Sequence, residues 1–513
     1  MARKDVVEVL GYADQQKQHR NAMRALYQDA FDLCRPNESE WSSSTEGDDK
    51  QSEIFDDTAP DAVGKFSARF QKAMIPPDSN WFKFELPEGI KNRLRQENGD
   101  IAAESMIEQI ELDLERQSDT FFDYIRRSNL TTKANKAFTD LAIGTLAMWI
   151  SETDEQAMPF RFFTIPLHQL IIGEGADGEI VDVGRDYQME VQNVIAKWGN
   201  TGKISQKLKD MAEKNPKAKV EILEISVQDR VTKQYHYHVI NVGEKEEIFY
   251  DIFNTSPAVV LRYRVNSTEA FGRGPCIFKL PTIRVLNAWE ELAMRGAHRA
   301  VGGIFLAQDD GVLDPFTAQI LPETVTVVAD TERSLRELPY QGRIDFTIEK
   351  QRMLQDEIRR AFFAQQFASP MDPVRTATEN SIAYQEMIED MGGDFGRVQR
   401  EFLDGLITRV TEILVRRGLM SEITVNREVV NYRYTSPMAR AQEMTELSAI
   451  QNTIVMSNNL LGPQVTAMEY NLGRVARAIG DYTGADKSLL NTKEEKEQMQ
   501  QQAAQMAQQQ QAG

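Results

Sequence analysis

Gly272-Arg273-Gly274-Pro275-Cys276-Ile277-Phe278-Lys279-Leu280-Pro281-Thr282-Ile283-Arg284-Val285-Leu286-Asn287 opens the stretch on which the fold turns. From Pro275 to about Val301 the apolar positions recur at helical spacing, so a first long amphipathic helix is predicted there. A second spans roughly Ile344 to Phe367. Between them Gly302-Gly303, Asp309-Asp310-Gly311, Pro315, Pro322 and Pro339 punctuate β-branched runs such as Val325-Thr326-Val327-Val328, the pattern of a small strand-containing tip. Helix, tip and helix read as a hairpin. A loop broken by Pro370 and Pro373 follows, and the capping box Thr376-Ala377-Thr378-Glu379 opens a third long helix. Two such arms leave Leu286, Trp289, Leu292, Leu354, Ile358 and Phe362 partly unburied unless neighbours cover them, which implies oligomerisation, and a repeated heterologous contact closes into a ring.

Working outward, residues 1–35 carry a helix with Val6, Leu10, Met23, Leu26, Ala30 and Leu33 on its buried face, ended by Arg35-Pro36. Residues 38–53 are polar and read as an exposed loop. Thr58 or Asp57 caps a helix bearing Val63, Phe66, Phe70 and Met74, Pro76-Pro77 stops it, and Trp81 to Phe84 reads as a strand. Ile101 to Leu146 is helical, with Met106, Ile110, Leu114, Phe121, Phe122 and Ile125 as its stripe. After Trp149 the period changes to two over Phe160–Ile172, Ile180–Val183, Val220–Val227, Tyr235–Val242 and Val259–Val265, the signature of sheet strands. Beyond the hairpin, Met387, Met391, Phe395, Val398, Phe402, Leu406, Val410 and Ile413 make one long helix face, with Gly392-Gly393 as a predicted kink. Residues 423–434 alternate as a strand, and Ser436-Pro437 starts a further helix. The Gln-rich tail from Lys493 has too few apolar groups to pack. The fold class is α+β and predominantly helical.

Acidic residues number 78 against 59 basic ones, a formal charge of -19, which disfavours a general phosphate-neutralising surface and leaves room only for a local basic patch. Cys34 and Cys276 are too few and too far apart in the chain for a disulfide framework and read as two inert thiols of a reducing compartment. The longest apolar stretch, Leu141 to Ile150, is about half of what a bilayer helix needs, so no membrane association is expected.

No catalytic constellation assembles. Gly199-Asn200-Thr201-Gly202-Lys203-Ile204 lacks the glycine spacing of a phosphate loop and the hydroxyl after the lysine that would hold Mg²⁺. His236 and His238 share a strand face but have no further ligands nearby, so a solvated strand face is the better reading, and no metal or cofactor is expected. Asp56-Asp57 and Asp309-Asp310 sit beside turn residues, where Asp caps and turns. No serine or cysteine has a nucleophile-elbow context. A non-enzyme is expected.

Four groups of residues carry a family resemblance: Phe55-Asp56-Asp57-Thr58-Ala59-Pro60 with Pro76-Pro77 and Trp81-Phe82; Gly272-Arg273-Gly274-Pro275 with Leu280-Pro281 and Leu286-Asn287; Thr376-Ala377-Thr378-Glu379; and Ser436-Pro437-Met438-Ala439-Arg440-Ala441. In this order the chain resembles the portal, or head-to-tail connector, proteins of short-tailed bacteriophages. The resemblance implies a subunit with wing, stem, clip and crown in a ring of about twelve copies with a central channel at one capsid vertex. It places an N-terminal body and wing at 1–270, the stem helices at 271–301 and 344–366, and the clip at 302–343. The tunnel loop then falls at 367–375, the long wing helix and returning strand at 376–435, and the crown and tail at 436–513.

The implied work is that of a conduit for double-stranded DNA during packaging and ejection, in the virion at the head-tail junction after assembly in the host cytoplasm. Implied partners are further copies of the chain, the terminase large subunit, the major capsid protein and scaffold, and tail adaptor proteins. Tunnel-loop candidates are Ser369, Pro370, Met371, Asp372, Pro373, Val374 and Arg375. Arg284, Arg295, Arg299, Arg352 and Arg359 are candidates for light contacts to DNA, against the alternative that each pairs with a helix-surface acid such as Glu290, Glu291, Asp356 or Glu357. The acidic balance fits a bore that does not grip phosphates. Two other readings stay open: a tail ring adaptor without the capsid-vertex role, and a nucleic-acid enzyme.

Overall fold

The computed structural model describes residues 5–38, 53–200, 202–302, 305–307, 335–337, 344–364, 395–422 and 430–462, with 465–466, 469–470 and 475. In chain order the elements begin α1 (Val6–Cys34), α2 (Thr58–Met74), β1 (Phe82–Glu85), α3 (Glu88–Asn98), α4 (Asp100–Arg127) and α5 (Leu130–Ile143). Next come β2 (Thr145–Glu152), β3 (Phe160–Thr164), β4 (Leu170–Glu174), β5 (Ile180–Glu190), α6 (Val191–Trp198), α7 (Gln206–Lys214), β6 (Lys219–Gln228), β7 (Tyr235–Asn241), β8 (Glu246–Phe253) and β9 (Ala258–Arg262). The hairpin follows as α8 (Pro275–Gly302), β10 (Phe305–Ala307), β11 (Leu335–Glu337) and α9 (Ile344–Ala361). Last are α10 (Phe395–Val398), a π-helical turn over Gln399–Asp404, α11 (Gly405–Arg416), β12 (Asn431–Tyr434) and α12 (Pro437–Leu461). The chain divides into two compact units, one of Met1–Ala68, Asn135–Trp149 and Thr164–Ser369, the other of Arg69–Ala134, Ile150–Phe163 and Pro370–Gly513.

In the first unit, β4-β5-β6-β7-β8 form a five-stranded antiparallel meander. The turn into β5 uses Gly178 at φ 75°, a left-handed conformation that glycine adopts without a Cβ penalty. One sheet face buries Ile171, Leu223, Ile225, Val227 and Ile240 against Val9 and Ala13 of α1. On the other, Glu224 lies fully buried between Arg185 (2.9 Å), Tyr187 (2.7 Å) and Lys197 (2.9 Å). Burial works to raise its carboxyl, but the two cations win and hold it down at about 2.

Helix α1 starts at Asp5, whose carboxylate accepts from Val6 N. Its buried line is Val9, Ala13, Met23, Tyr27, Ala30, Phe31 and Cys34, not the predicted Val6, Leu10, Leu26 and Leu33, which are only half-buried. The expected helix over 101–146 is instead α4 and α5, broken at Ser128-Asn129 and followed at once by β2. Met106 is exposed, and Ile107 takes its place in the core. Strand β2, paired antiparallel with β9, escapes pattern reading because its first six residues are all buried and show no alternation. Strand β8 also falls outside the predicted set, and the predicted 160–172 strand is two, β3 and β4.

In the second unit, β1 pairs with β12 from Phe82↔Tyr434 to Glu85↔Asn431. Around them Trp81, Phe82, Phe84, Phe121, Phe122 and Tyr432 interlock edge to face, with Phe82–Phe121 centroids 4.9 Å apart. Val398, Phe402, Leu406, Val410 and Ile413 are buried as predicted. The irregularity within this helix is the π-helical turn at Gln399–Asp404, while Gly392-Gly393, Met387 and Met391 lie outside the described residues. Arg409 of α11 is buried and bonds Glu412 (3.0 Å) and Glu152 (3.2 Å). Ser436 caps α12 by accepting from Ala439 N, with Pro437 at the first helical position.

Candidate functional site

The hairpin is antiparallel, as its two registers show. Lys279 Nζ meets Glu357 Oε1 at 2.7 Å near one end of the α8–α9 pair, and Phe305↔Glu337 pairs β10 with β11 at the other. Its root is set by backbone packed on backbone. Gly274 N donates to Ile143 O (2.8 Å), and Gly272 N donates to Thr145 Oγ1 (2.8 Å). Gly272 O accepts from the buried Tyr27 hydroxyl at 2.5 Å. A Cβ on Gly272 would overlap Gly144 O, and one on Gly274 would overlap Ala142 O, so the glycines before Pro275 exist for close approach.

Further up, one side chain ties the Phe55-Asp56 motif to the hairpin. Asn287 Oδ1 accepts from Phe55 N (2.7 Å) and Asp56 N (3.4 Å), while its Nδ2 donates to Glu53 O (3.0 Å). From the opposite arm, Gln355 Nε2 donates to Asp56 Oδ2 (2.7 Å), and Asp56 Oδ1 accepts from Thr58 N (2.9 Å) at the start of α2. Asp56 thus serves as a turn and strap residue, in line with the structural reading of that acidic pair. Burial, with the nearby Asp56 charge, raises the Glu290 carboxyl above the usual carboxylate range.

The predicted apolar flanks divide at this level. Leu286, Leu354, Ile358 and Phe362 are buried within their own chain, which corrects the expectation that they need a neighbour. Phe362 closes against Phe66 at a centroid distance of 6.4 Å. Past Leu286 on α8, and before Leu354 on α9, no described side chain is buried. Leu292 is 63% and Met353 60% exposed, alongside Val285, Met294 and Ile348.

The nominated arginines are placed as follows. Arg284 bonds Asp29 of α1 at 2.5 Å, Arg295 pairs with Glu291 one turn back, and Arg359 lies 3.3 Å from Asp356. Arg352 is exposed. Arg299 lies on α8 with its side chain outside the described residues, as do all of Ser369, Pro370, Met371, Asp372, Pro373, Val374 and Arg375, Thr376 to Glu379, and most of 302–343.

The other sequence candidates are used internally. Gly202 N donates to Trp198 O and Lys203 N to Ile248 O, so these amides are spent within the fold and cradle no phosphate. His238 is buried with Nδ1 2.8 Å from Glu247 Oε1, and His236 Nδ1 lies 2.7 Å from the Tyr250 hydroxyl. That corrects the solvated-face reading: a neighbouring strand supplies both partners. Among the described residues no group of three His, Cys, Asp or Glu is placed to hold a metal ion, and no helix is long and apolar enough to cross a membrane. Tyr27, Thr145, Asp29 and Gln355 were not singled out from sequence, because each acts on a partner more than one hundred positions away or on another element.

The model of the family described as bacteriophage head to tail connecting protein matches residues 7–490. The chain belongs to that family, and it is a head-to-tail connector. No curated protein matches the sequence. Among solved structures, a chain from the virion of a native gene transfer agent particle aligns at 12% identity and TM-score 0.33, covering 67% of this chain and 83% of that one. A chain from the neck of an empty gene transfer agent particle, computed with C6 symmetry, aligns at 11% identity and TM-score 0.35, covering 76% and 85%.

Proposed function

We propose that this connector closes into a ring of about twelve copies at one capsid vertex, with double-stranded DNA passing through its channel during packaging and ejection. The observation that carries this reading is the far half of the α8–α9 hairpin, where Leu292, Met294, Ile348 and Met353 are exposed on arms long enough to meet a neighbouring copy. Exposed apolar side chains concentrated on one element favour a partner surface. The terminase large subunit and then the tail adaptor proteins dock on the clip at 302–343, and the major capsid protein and scaffold surround the ring. The loop 367–375 faces the channel. The chain catalyses nothing and needs no cofactor. The pairing of Arg284, Arg295 and Arg359 with carboxylates, on a chain of charge -19, supports a bore over which phosphates slide.

Electron microscopy of the purified chain tests this directly: rings with an axial channel are expected, and a monomer without one overturns the reading. Rings from a particle's tail that never engage a capsid would favour the adaptor alternative. Deleting residues 369–374 is expected to leave rings intact while impairing packaging or DNA retention.

A further inference from the structure

Between β5 and β6 the chain turns basic against an acidic background. From residue 203 to 219 it carries Lys203, Lys207, Lys209, Lys214, Lys217 and Lys219 against Asp210 and Glu213, whereas the whole chain has 59 basic residues to 78 acidic ones. The fold fixes this segment at several points and leaves the lysines outward. Ser205 caps α7 by accepting from Leu208 N, and the Leu208 side chain is buried. Lys203 N donates to Ile248 O of β8 (2.7 Å), while Ala218 O and Pro216 O accept from Val191 N (2.9 Å) and Gln192 N (3.2 Å) at the start of α6. All six lysines are exposed, and among the described residues none of their ammonium groups pairs with a carboxylate. Lys197, just before the segment, is by contrast spent on Glu224, and Arg284, Arg295 and Arg359 of the hairpin are each paired with an acid.

We propose that this α6–α7 surface is a sequence-blind contact for the phosphate backbone of double-stranded DNA, on an element other than the hairpin. The inference rests on the reading of the chain as a connector that handles DNA. Unpaired ammonium groups on flexible stems act as point charges, and they gain affinity by displacing the counterions condensed on a duplex. Over the roughly 10 Å that separate Lys207 from Lys214 along α7, a duplex presents about six phosphate charges, enough to engage the patch. The acid excess of the rest of the chain does not cancel it, because at about 0.1 M salt charges more than about 10 Å away are largely screened. An acidic protein surface fits less well. Protein interfaces are built around an apolar core, and Met211, at 37% exposure, is the one large apolar side chain that residues 203–219 leave exposed.

Fluorescence anisotropy of a short labelled duplex with the full-length chain tests it. Affinity is expected to fall with salt at a log–log slope of about −3 to −4, a loss on the order of a hundredfold between about 50 and 200 mM. K207Q/K209Q/K214Q/K217Q is expected to lose at least about tenfold in affinity at the lower salt and most of the slope, while K207R/K209R/K214R/K217R keeps both. All four positions are exposed, so thermal melts of both variants should match the parent's. A parent chain that leaves the duplex free at the lower salt, a Gln variant with the parent's affinity and slope, or an Arg variant as weak as the Gln one overturns the proposal. Polyglutamate bound as tightly as a duplex of equal charge would assign the surface to an acidic protein and overturn it too. Electron microscopy of the same samples keeps the two readings apart: rings that bind no duplex through these lysines sink this inference alone, whereas a parent chain without rings sinks the ring reading whatever the duplex does.

Discussion

Asn287 and Gln355, on opposite arms of the hairpin, hold the same short peptide: Asn287 binds the backbone of residues 53–56 and Gln355 binds the Asp56 carboxylate. Replacing Asn287 with Ala leaves Phe55 N and Glu53 O without their partner, and a loss of about 1–3 kcal/mol is expected. Urea unfolding of N287A against the parent chain measures it. N287D keeps the acceptor but loses the donor and adds a charge beside Asp56, so it should not recover the parent's stability at neutral pH, and an N287A curve that overlays the parent's would refute the strap.

The glycine seat predicts an asymmetric response to one methyl group. Gly272→Ala and Gly274→Ala drive a Cβ into the carbonyls of Gly144 and Ala142, and a loss of at least about 1–3 kcal/mol is expected from overpacking against backbone that cannot rotate away. Gly64 lies inside α2 with open space around it, so Gly64→Ala should instead gain about 0.5–1 kcal/mol. Thermal melts of the three variants decide the point.

Glu224 ties stability to acid. Its folded carboxyl, held at about 2 between Arg185 and Lys197, sits below the ordinary 4.5, so its stabilising contribution is fully present above pH 4.5 and is lost as the pH falls toward 2. Glu224→Gln removes that titration but leaves two cations facing a neutral amide, at a cost of about 3–5 kcal/mol at pH 7. The gap between variant and parent should narrow steadily on acidification.

Glu290 carries the opposite sign. Its carboxyl is raised by burial and by Asp56, so ionisation costs the folded state something once the pH passes the ordinary 4.5 and climbs through the folded value. Glu290→Gln is expected to melt higher than the parent at pH 7 to 8 and to match it below about pH 4.5. Identical curves at both pH values would show that the pair is not coupled.

Leu292→Asp and Met353→Asp probe assembly apart from folding. Both positions are exposed in the isolated chain, so melts should shift by no more than about 0.5 kcal/mol. Sedimentation should show loss of the ring. Rings that persist in both variants would place the contact between copies elsewhere.

The long helices were legible because their apolar positions repeat over many turns, yet even there the buried edge was not. On α1 both Leu26 and Tyr27 fit an apolar stripe, and only the sheet and Gly272 beside it choose Tyr27. Strand β2 was illegible for a different reason: Thr145 to Ile150 is buried throughout, and a continuous apolar run has no period to read. At the candidate site the sequence marked Gly272, Gly274, Asp56 and Asn287 as notable residues. It could not show that the glycines approach Ala142 and Gly144, or that Asn287 holds Asp56, because those contacts join segments far apart in the chain.

Pro281 gives the hairpin root a mechanical character. Helix α8 leaves a seat in which carbonyl presses on backbone, with no flexible side chain to absorb movement. Less than two turns later Pro281 withholds the amide hydrogen that would have bonded Ile277 O, so the stiff seat is followed at once by the weakest link of the helix. Just past that point the Arg284–Asp29 ion pair, buried Leu286 and the Asn287 strap hold the helix again, and about 22 Å of α8 lie beyond Asn287. The missing bond is thus bracketed, with the glycine seat before it and the Arg284 and Asn287 fastenings after it, so a weak turn is splinted from both sides.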